Sequence, residues 1–322
     1  NIPAYYLEGY KSLSNSCLQV PWIKDPKIIF TANSHLGDEI FNFWTAQQLN
    51  KKNIPLVYGQ HGGGFFTSKY SIEREIEIAQ ADKFLAWGNA REKSKKIIKF
   101  YNLKSIFKKL SYNPNGKINL IQHMPRAYQM SCLSGQLNFS QAAKNSEFQK
   151  KFLKGLKKNY FDKTEVRLYF PYASNLSYQQ TKYEKDLWSD KKLKIKIETP
   201  NTSMAKSIND SRLLILTGLE STILLESMFN NIPSILLMNF DKKFIKEKHL
   251  GIFRLLMNNG ILYDDPKVLS DFINSNYQNI DLWWKSRKTQ KTVKKFCDHF
   301  SASSSSPLKQ VKETVEKIIN QS

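Results

Sequence analysis

The sequence predicts an α/β protein made of two Rossmann-like domains with a cleft between them, and three observations carry that prediction. Apolar runs of strand length recur at residues 54–58, 81–88, 117–122, 166–170, 213–216 and 232–238. Helically spaced or charged stretches separate them, an alternation that favours parallel strands joined by crossover helices. Two of the runs end in loops rich in glycine or hydroxyl groups, which is where open α/β sheets hold their ligands. A chain of 322 residues accommodates two such domains, each with its own core.

Residues 27–31 (KIIFT) read as the first strand. The loop after it leads into a helix through Leu49, with Phe41, Trp44 and Leu49 facing the core. Asp38 and Glu39 fall in that helix's first turn, where acidic side chains stabilise the macrodipole. Set at a strand's C-terminal end instead, either carboxylate is a candidate base or nucleophile. The strand at 54–58 ends in Gln60-His61-Gly62-Gly63-Gly64. Three glycines let the backbone take φ > 0 or approach a ligand, and a histidine beside them can donate, accept or carry a proton. Residues 71–80 follow as a helix with Glu73, Glu75 and Glu77 facing solvent, and residues 81–88 as another strand. Residues 91–110 have a helical pattern and a strong basic excess. That stretch reads either as a solvated helix face or as a helix lying on an anionic membrane.

The turn-rich residues 111–116 (SYNPNG) set the domain boundary. The expected division is 1–112 for the N-terminal domain, 113–300 for the C-terminal domain, and 301–322 for a linker and last helix. Only one convincing strand precedes residue 50 and the chain starts at Asn1, so the N-terminal domain is expected to be incomplete.

In the C-terminal half, a strand at 117–122 leads to His123 and Arg126, the latter either a phosphate ligand or a surface arginine. A helix at 146–159, a strand at 166–170 and a charged stretch ending in an edge strand near Ile197 come next. After the strand at 213–216, Thr217-Gly218 breaks the run and Ser221 stands where a helix begins. Thr222 and Glu226 share one face of that helix a turn apart, so a hydroxyl and a carboxylate line its start. Such a helix N-terminus suits a phosphate, and a capped core helix with an exposed glutamate is the alternative reading. Further helices are expected at 266–274 and 280–300, the second strongly basic, and Leu308, Val311, Val315 and Ile318 form a packing stripe on the last.

Composition narrows the function. The formal charge of +21 admits nucleic acid, anionic membrane or phosphorylated substrate as partner. No run approaches the roughly 18 apolar residues of a membrane span. Cys17, Cys132 and Cys297 lack CxxC spacing, which argues for a reducing compartment without a disulfide framework. No GxxxxGK[ST], GxGxxG or GxSxG motif is present. His35, His61, His123, His249 and His299 lack the spacing of a dedicated metal site, so neither metal nor cofactor is expected. No RNA-binding or zinc-finger pattern accompanies the charge, leaving a non-catalytic basic RNA- or membrane-binding module as a competing reading.

At QHGGG, ADKFLAWG and TGLESTILLESMFNNIPSIL, and again at MNNGILYDDPKVLSDFIN and DLWWKSRKTQKTVKKFCDHF, the chain resembles a family of bacterial transferases from surface-carbohydrate (capsule and O-antigen) loci. The likeness covers roughly residues 25 to 300. Its broader pattern is similar to GT-B glycosyltransferases, especially capsule transferases of Kdo or nonulosonate sugars, and to CDP-glycerol glycerophosphotransferases. The resemblance implies a cytoplasmic glycosyltransferase, peripheral at the inner face of the membrane, that passes a nucleotide-activated sugar to a glycan or lipid-linked acceptor, and with no metal-binding DxD motif evident the chemistry is expected to be metal-independent. Transfer of a phospho-alditol is the alternative it leaves open. It also implies that Gly218, Ser221, Thr222 and Arg126 meet donor phosphate and that Glu226 meets the nucleotide. His61 with Gln60, Gly62, Gly63 and Gly64 would then line the acceptor side of the cleft, with Asp38 or Glu39 as base.

Overall fold

The computed structural model describes residues 4–51, 53–69, 71–89, 94–123, 139–169, 178–189, 193–199, 201–219 and 221–321. Two compact units alternate along the chain. Asn1–His61, Arg74–Tyr101 and Ser304–Ser322 form the first, and Gly62–Glu73 with Asn102–Ser303 form the second. The chain therefore passes between units four times.

The first unit contains α1 (Tyr10–Gln19), β1 (Ile29–Thr31), α2 (Glu39–Lys51), β2 (Leu56–Gly59), α3 (Ile72–Gln80), β3 (Lys83–Ala86) and β4 (Ile97–Lys99). Its sheet is parallel throughout, in the order β1-β2-β3-β4. Every residue of β2 is buried, as a strand covered on both faces requires. Leu13, Cys17 and Phe43 join α1 to α2 in a small apolar cluster. Phe43 is thus the core residue of α2, whereas Phe41, Trp44 and Leu49 are half-buried. The rings of Phe41 and Trp44 pack on Trp22, at centroid distances of 5.9 and 5.1 Å.

The helix expected at 91–110 is absent from the described residues of that stretch. Ile97 to Lys99 instead add a fourth parallel strand to β3, and Phe100 and Tyr101 are buried just beyond it. Four apolar residues within five consecutive positions, two of them β-branched, fit a short strand better than an i,i+4 stripe. Of its basic residues, Lys95, Lys96 and Lys104 consequently lie in turns and Lys99 on the strand.

The second unit contains β5 (Lys117–Ile121), α4 (Phe139–Gly155), α5 (Lys158–Phe161), β6 (Thr164–Arg167), α6 (Tyr178–Trp188), β7 (Lys196–Ile197), α7 (Met204–Asn209) and β8 (Ser211–Leu216). It continues with α8 (Thr222–Phe229), β9 (Ser234–Leu237), α9 (Glu247–Asn258), β10 (Leu262–Tyr263), α10 (Pro266–Asn276), α11 (Ile280–Lys285) and α12 (Arg287–Phe300). The six strands are parallel in the order β10-β9-β8-β5-β6-β7, so the winding reverses between β5 and β8.

One face of β5 carries Ile118 and Leu120 into a core with Val166, Leu213, Ile215, Phe152 and Leu269. The alternate residues, Lys117 and Asn119, face a polar cluster, as the two-residue period of a strand dictates. There Lys117 Nζ lies 2.7 Å from Glu198 and also pairs with Glu165, while Arg167 pairs with Glu198. Asn119 Nδ2 donates to Ser207 Oγ at 2.7 Å, and Ser207 Oγ to Glu198 Oε1 at 2.8 Å.

The last helix, α13 (Pro307–Asn320), belongs to the first unit, where the Tyr101 hydroxyl donates to Pro307 O at 2.9 Å. Of its expected stripe, Ile318 is buried and Val311 and Val315 are half-buried, but Leu308 is exposed. No described helix is long and apolar enough to cross a membrane.

Candidate functional site

In the first unit, the chain leaves β2 through Gln60 and His61. Gln60 is buried and structural: its N–H donates to Leu85 O at 3.0 Å, and its Oε1 accepts from Trp87 N–H at 2.9 Å. The β2 and β3 ends are thereby locked together just before His61.

His61 meets Glu77, a residue expected in solvent but only 1% exposed on α3. Glu77 Oε1 lies 3.2 Å from His61 Nε2 and 2.9 Å from His35 Nε2, so one carboxylate oxygen holds two imidazoles. Burial raises the Glu77 carboxyl, but the hydrogen bonds and charges of His35 and His61 outweigh it and hold the group below its usual range. His35 is stacked on Tyr58 at 4.2 Å and its side chain is 7% exposed, against 21% for His61. Burial, with Glu77 adding to it, pushes the Tyr58 hydroxyl up. Along the chain, nothing local distinguishes Glu77 from its neighbours Glu73 and Glu75. The only available signal was its placement among Ile76, Ile78 and Ala79 on the more apolar end of the helix.

Asp38 and Glu39 are both exposed. Asp38 Oδ1 accepts from Phe41 N–H at 2.9 Å, an N-terminal cap of α2, and Glu39 accepts from the Tyr6 hydroxyl.

In the second unit, the glycine loop reaches the start of α8. Gly63 N–H donates to Thr222 Oγ1 at 3.2 Å, joining two motifs 159 residues apart. Gly64 has φ 82°, a left-handed conformation that disfavours side chains. Buried Phe65 and Phe66 anchor the loop, and an antiparallel bridge between Ser68 and Ile245 closes it.

The start of α8 lies where the winding reverses. His123 N–H donates to Thr217 Oγ1 at 2.8 Å, and Thr217 Oγ1 donates to Ile121 O at 3.1 Å, lacing the C-terminal ends of β5 and β8. A Cβ on Gly218 would stand 2.5 to 2.8 Å from the His123 side chain, so glycine is required for that ring to occupy its place. Gly218→Ala is accordingly expected to cost ~1–3 kcal/mol of stability through overpacking, read from urea unfolding. In the sequence nothing beyond its place after a strand distinguishes His123. Desolvation pushes its imidazole down to about 4, leaving a neutral ring at neutral pH, and it packs edgewise on Tyr169 at 5.4 Å.

Ser221 is the N-cap of α8 but its side chain makes no capping hydrogen bond. Glu226 is 2% exposed, with Oε1 2.7 Å from Lys104 Nζ and Oε2 3.1 Å from Lys108 Nζ. It is therefore neither the exposed glutamate of a plain core helix nor an unengaged carboxylate. Arg126 lies outside the described residues.

Chemically, the second unit presents a helix N-terminus at a sheet switch point, with Gly218, Ser221, Thr222 and the Gly63 backbone around it and two lysines a turn further along. That is a setting for phosphate. The first unit presents an imidazole oriented by a buried carboxylate, a setting for proton transfer.

The chain matches, over residues 1–315, the model of the LIC12162 family transferase. A sequence search of curated proteins gives no match. Among solved structures, the chain is similar to HepE from Anabaena in complex with UDP-glucose, at 13% identity over 98% of this chain and 84% of that one, with a TM-score of 0.52. It is similar to a glycosyltransferase from Rickettsia africae ESF-5, at 14% identity over 100% and 83%, also with a TM-score of 0.52. An α,α-trehalose-phosphate synthase (UDP-forming) from Burkholderia vietnamiensis matches at 9% identity over 100% and 81%, with a TM-score of 0.54. These likenesses show the fold: two Rossmann-like domains of the GT-B type.

Proposed function

The chain belongs to the LIC12162 family of transferases, and on that premise we propose that it is a glycosyltransferase moving a sugar from a nucleotide-activated donor to a cell-surface glycan or lipid-linked acceptor. The hydrogen bond from Gly63 N–H to Thr222 Oγ1 carries the proposal, because within the second unit it brings the glycine run to the hydroxyl-rich start of α8. Donor phosphate sits at the α8 N-terminus against Gly218, Ser221 and Thr222. Lys104 and Lys108, held by Glu226, offset the charge of the leaving nucleotide without a divalent ion. HepE, crystallised with UDP-glucose, holds a nucleotide sugar on this fold. His61 takes the proton of the acceptor hydroxyl.

Titration calorimetry of the full chain with CMP, UDP, GDP and CDP tests the donor site. One of the four is expected to bind, and Thr222→Ala and Glu226→Ala are each expected to weaken it by roughly tenfold, the worth of one or two polar contacts. Binding of none, or unchanged binding by both variants, sinks the reading. Excess EDTA is expected to leave transfer unchanged, and a requirement for added Mg²⁺ would refute the metal-free chemistry.

The exposed Lys285, Arg287, Lys288, Lys291, Lys294 and Lys295 of α11 and α12 then bring the enzyme to the inner, anionic face of a membrane. Sedimentation with phosphatidylglycerol vesicles, but not with phosphatidylcholine vesicles, is the expected result, and it should weaken with added salt.

A further inference from the structure

His123 is held where the winding of the second sheet reverses. Its N–H donates to Thr217 Oγ1, which in turn donates to Ile121 O, so its backbone is fixed beside the turn from β8 into α8. His123, Thr217, Gly218 and α8 all belong to the second unit. The ring lies on Gly218, where an added Cβ would stand 2.5 Å from Cδ2, 2.6 Å from Cγ and 2.8 Å from Cβ of the histidine. That edge of the ring leads on to Nε2, which is bonded to Cδ2, while Nδ1 is on the other side of Cγ. Glycine thus lets the Nε2 edge close on the main chain leading into α8.

The two nitrogens differ in what they meet. Nδ1 is buried and has no hydrogen-bond partner among the described residues, while the residue as a whole is half-buried and keeps part of its surface open. Desolvation holds the ring neutral at neutral pH, so it carries one hydrogen. On Nδ1 that hydrogen would be a buried donor without an acceptor, whereas on Nε2 it leaves only a lone pair unmatched inside. The neutral ring therefore presents Nε2–H on the Gly218 side. There Ser221 is the N-cap of α8 but its side chain makes no capping hydrogen bond, and the first N–H groups of a helix have no partner within it.

We propose that His123 is a ligand-binding residue of this site, donating from Nε2–H to a phosphate oxygen of the nucleotide seated at the α8 N-terminus. This rests on phosphate being bound at that helix end. The helix dipole there complements the negative charge, and the uncharged ring adds a hydrogen bond with a fixed direction. A phosphate oxygen accepts more than one hydrogen bond, so Nε2–H joins the backbone donors of the helix end without displacing them.

The full chain labelled at histidine, with inorganic pyrophosphate and with CMP, UDP, GDP and CDP, provides the test. Long-range ¹H–¹⁵N correlation spectra are expected to show neutral His123 protonated on Nε2, and that nitrogen is expected to shift as the bound ligand saturates. Side-chain length supplies a second readout, because glutamine places its amide nitrogen near the position of Nε2 and asparagine near that of Nδ1. His123→Gln is therefore expected to bind nearly as wild type does, and His123→Asn and His123→Phe about tenfold more weakly, the worth of one hydrogen bond to a charged group. Should the phenylalanine variant fail to fold, the glutamine and asparagine pair and the wild-type spectra still decide. A neutral His123 protonated on Nδ1, a ring signal that stays in place while a nucleotide binds, or equal affinity in His123→Gln and His123→Asn overturns the proposal. If Thr222→Ala weakens binding in that case, phosphate at α8 stands without His123. Failure of pyrophosphate and all four nucleotides to bind the wild type overturns both.

Discussion

His61→Asn is expected to lower transfer by roughly a hundredfold to ten-thousandfold, the usual worth of a positioned general base, with the affinity for nucleotide unchanged. Asparagine is close in size and hydrogen-bonds, so it can still reach Glu77, but it cannot accept the acceptor proton. The nucleotide contacts proposed for Thr222 and Gly218 lie in the second unit, and His61 closes the first. A kinetic loss should therefore appear in kcat, measured with the donor that calorimetry identifies. Asp38 provides the contrast. Its Oδ1 caps α2 through Phe41 N–H, so Asp38→Ala is expected to cost ~0.5–2 kcal/mol of stability with kcat close to wild type. A kcat loss in Asp38→Ala matching that of His61→Asn would return the role to the carboxylate.

The carboxylate shared by His35 and His61 makes stability depend on pH. The folded-state pKa of Glu77 is lowered from 4.5, so the unfolded chain takes up its proton at the higher pH. The stability it contributes is fully present above 4.5 and is lost as pH falls through the lowered folded value. Acid unfolding monitored by circular dichroism should show a steeper loss below that point in the wild type than in Glu77→Gln, which has no proton to bind. Equal slopes would mean that the histidines do not hold the charge.

Strands were the most legible part of the fold because the buried ones are continuous apolar runs: IPLVY, KINLI and RLLIL all stand where the spacing put them. Residues 91–110 misled because lysines at helical intervals outnumber the four apolar residues, Ile97, Ile98, Phe100 and Tyr101, that pairing with β3 buries or half-buries. Of the site, QHGGG and the TGLEST stretch stood out by composition, since consecutive glycines and a hydroxyl-rich helix start are locally unusual. Their contact did not, because no local pattern reports a hydrogen bond across 159 positions. Glu77 and His123 were illegible for a related reason. A glutamate on a charged helix and a histidine after a strand look ordinary until tertiary packing removes their water.

Glu198→Ala is expected to be among the most destabilising single changes in the second unit, by ~3–5 kcal/mol, the cost of stripping the partner from a buried charge. Glu198 holds Arg167 and Lys117 at once, and the side chains of Arg167 and Glu198 are 6% and 3% exposed. Without the carboxylate, Arg167 is left with Thr202 O at 3.0 Å as its remaining described side-chain partner. Glu165→Ala should cost less, because its other partner, Lys196, is well exposed and can take up water. Urea unfolding of the two variants against wild type ranks them, and a smaller loss for Glu198→Ala than for Glu165→Ala would contradict the network as described. The effect should also reach the ligand-facing end of the sheet. Arg167 is the last residue of β6, and its carbonyl accepts from Gln122 N–H at 2.9 Å, one residue before His123. Loosening Arg167 frees the end of β5 against which Thr217 and Gly218 are set. Nucleotide affinity in Glu198→Ala should therefore fall under conditions where the variant is still folded, whereas Glu165→Ala should bind as wild type does.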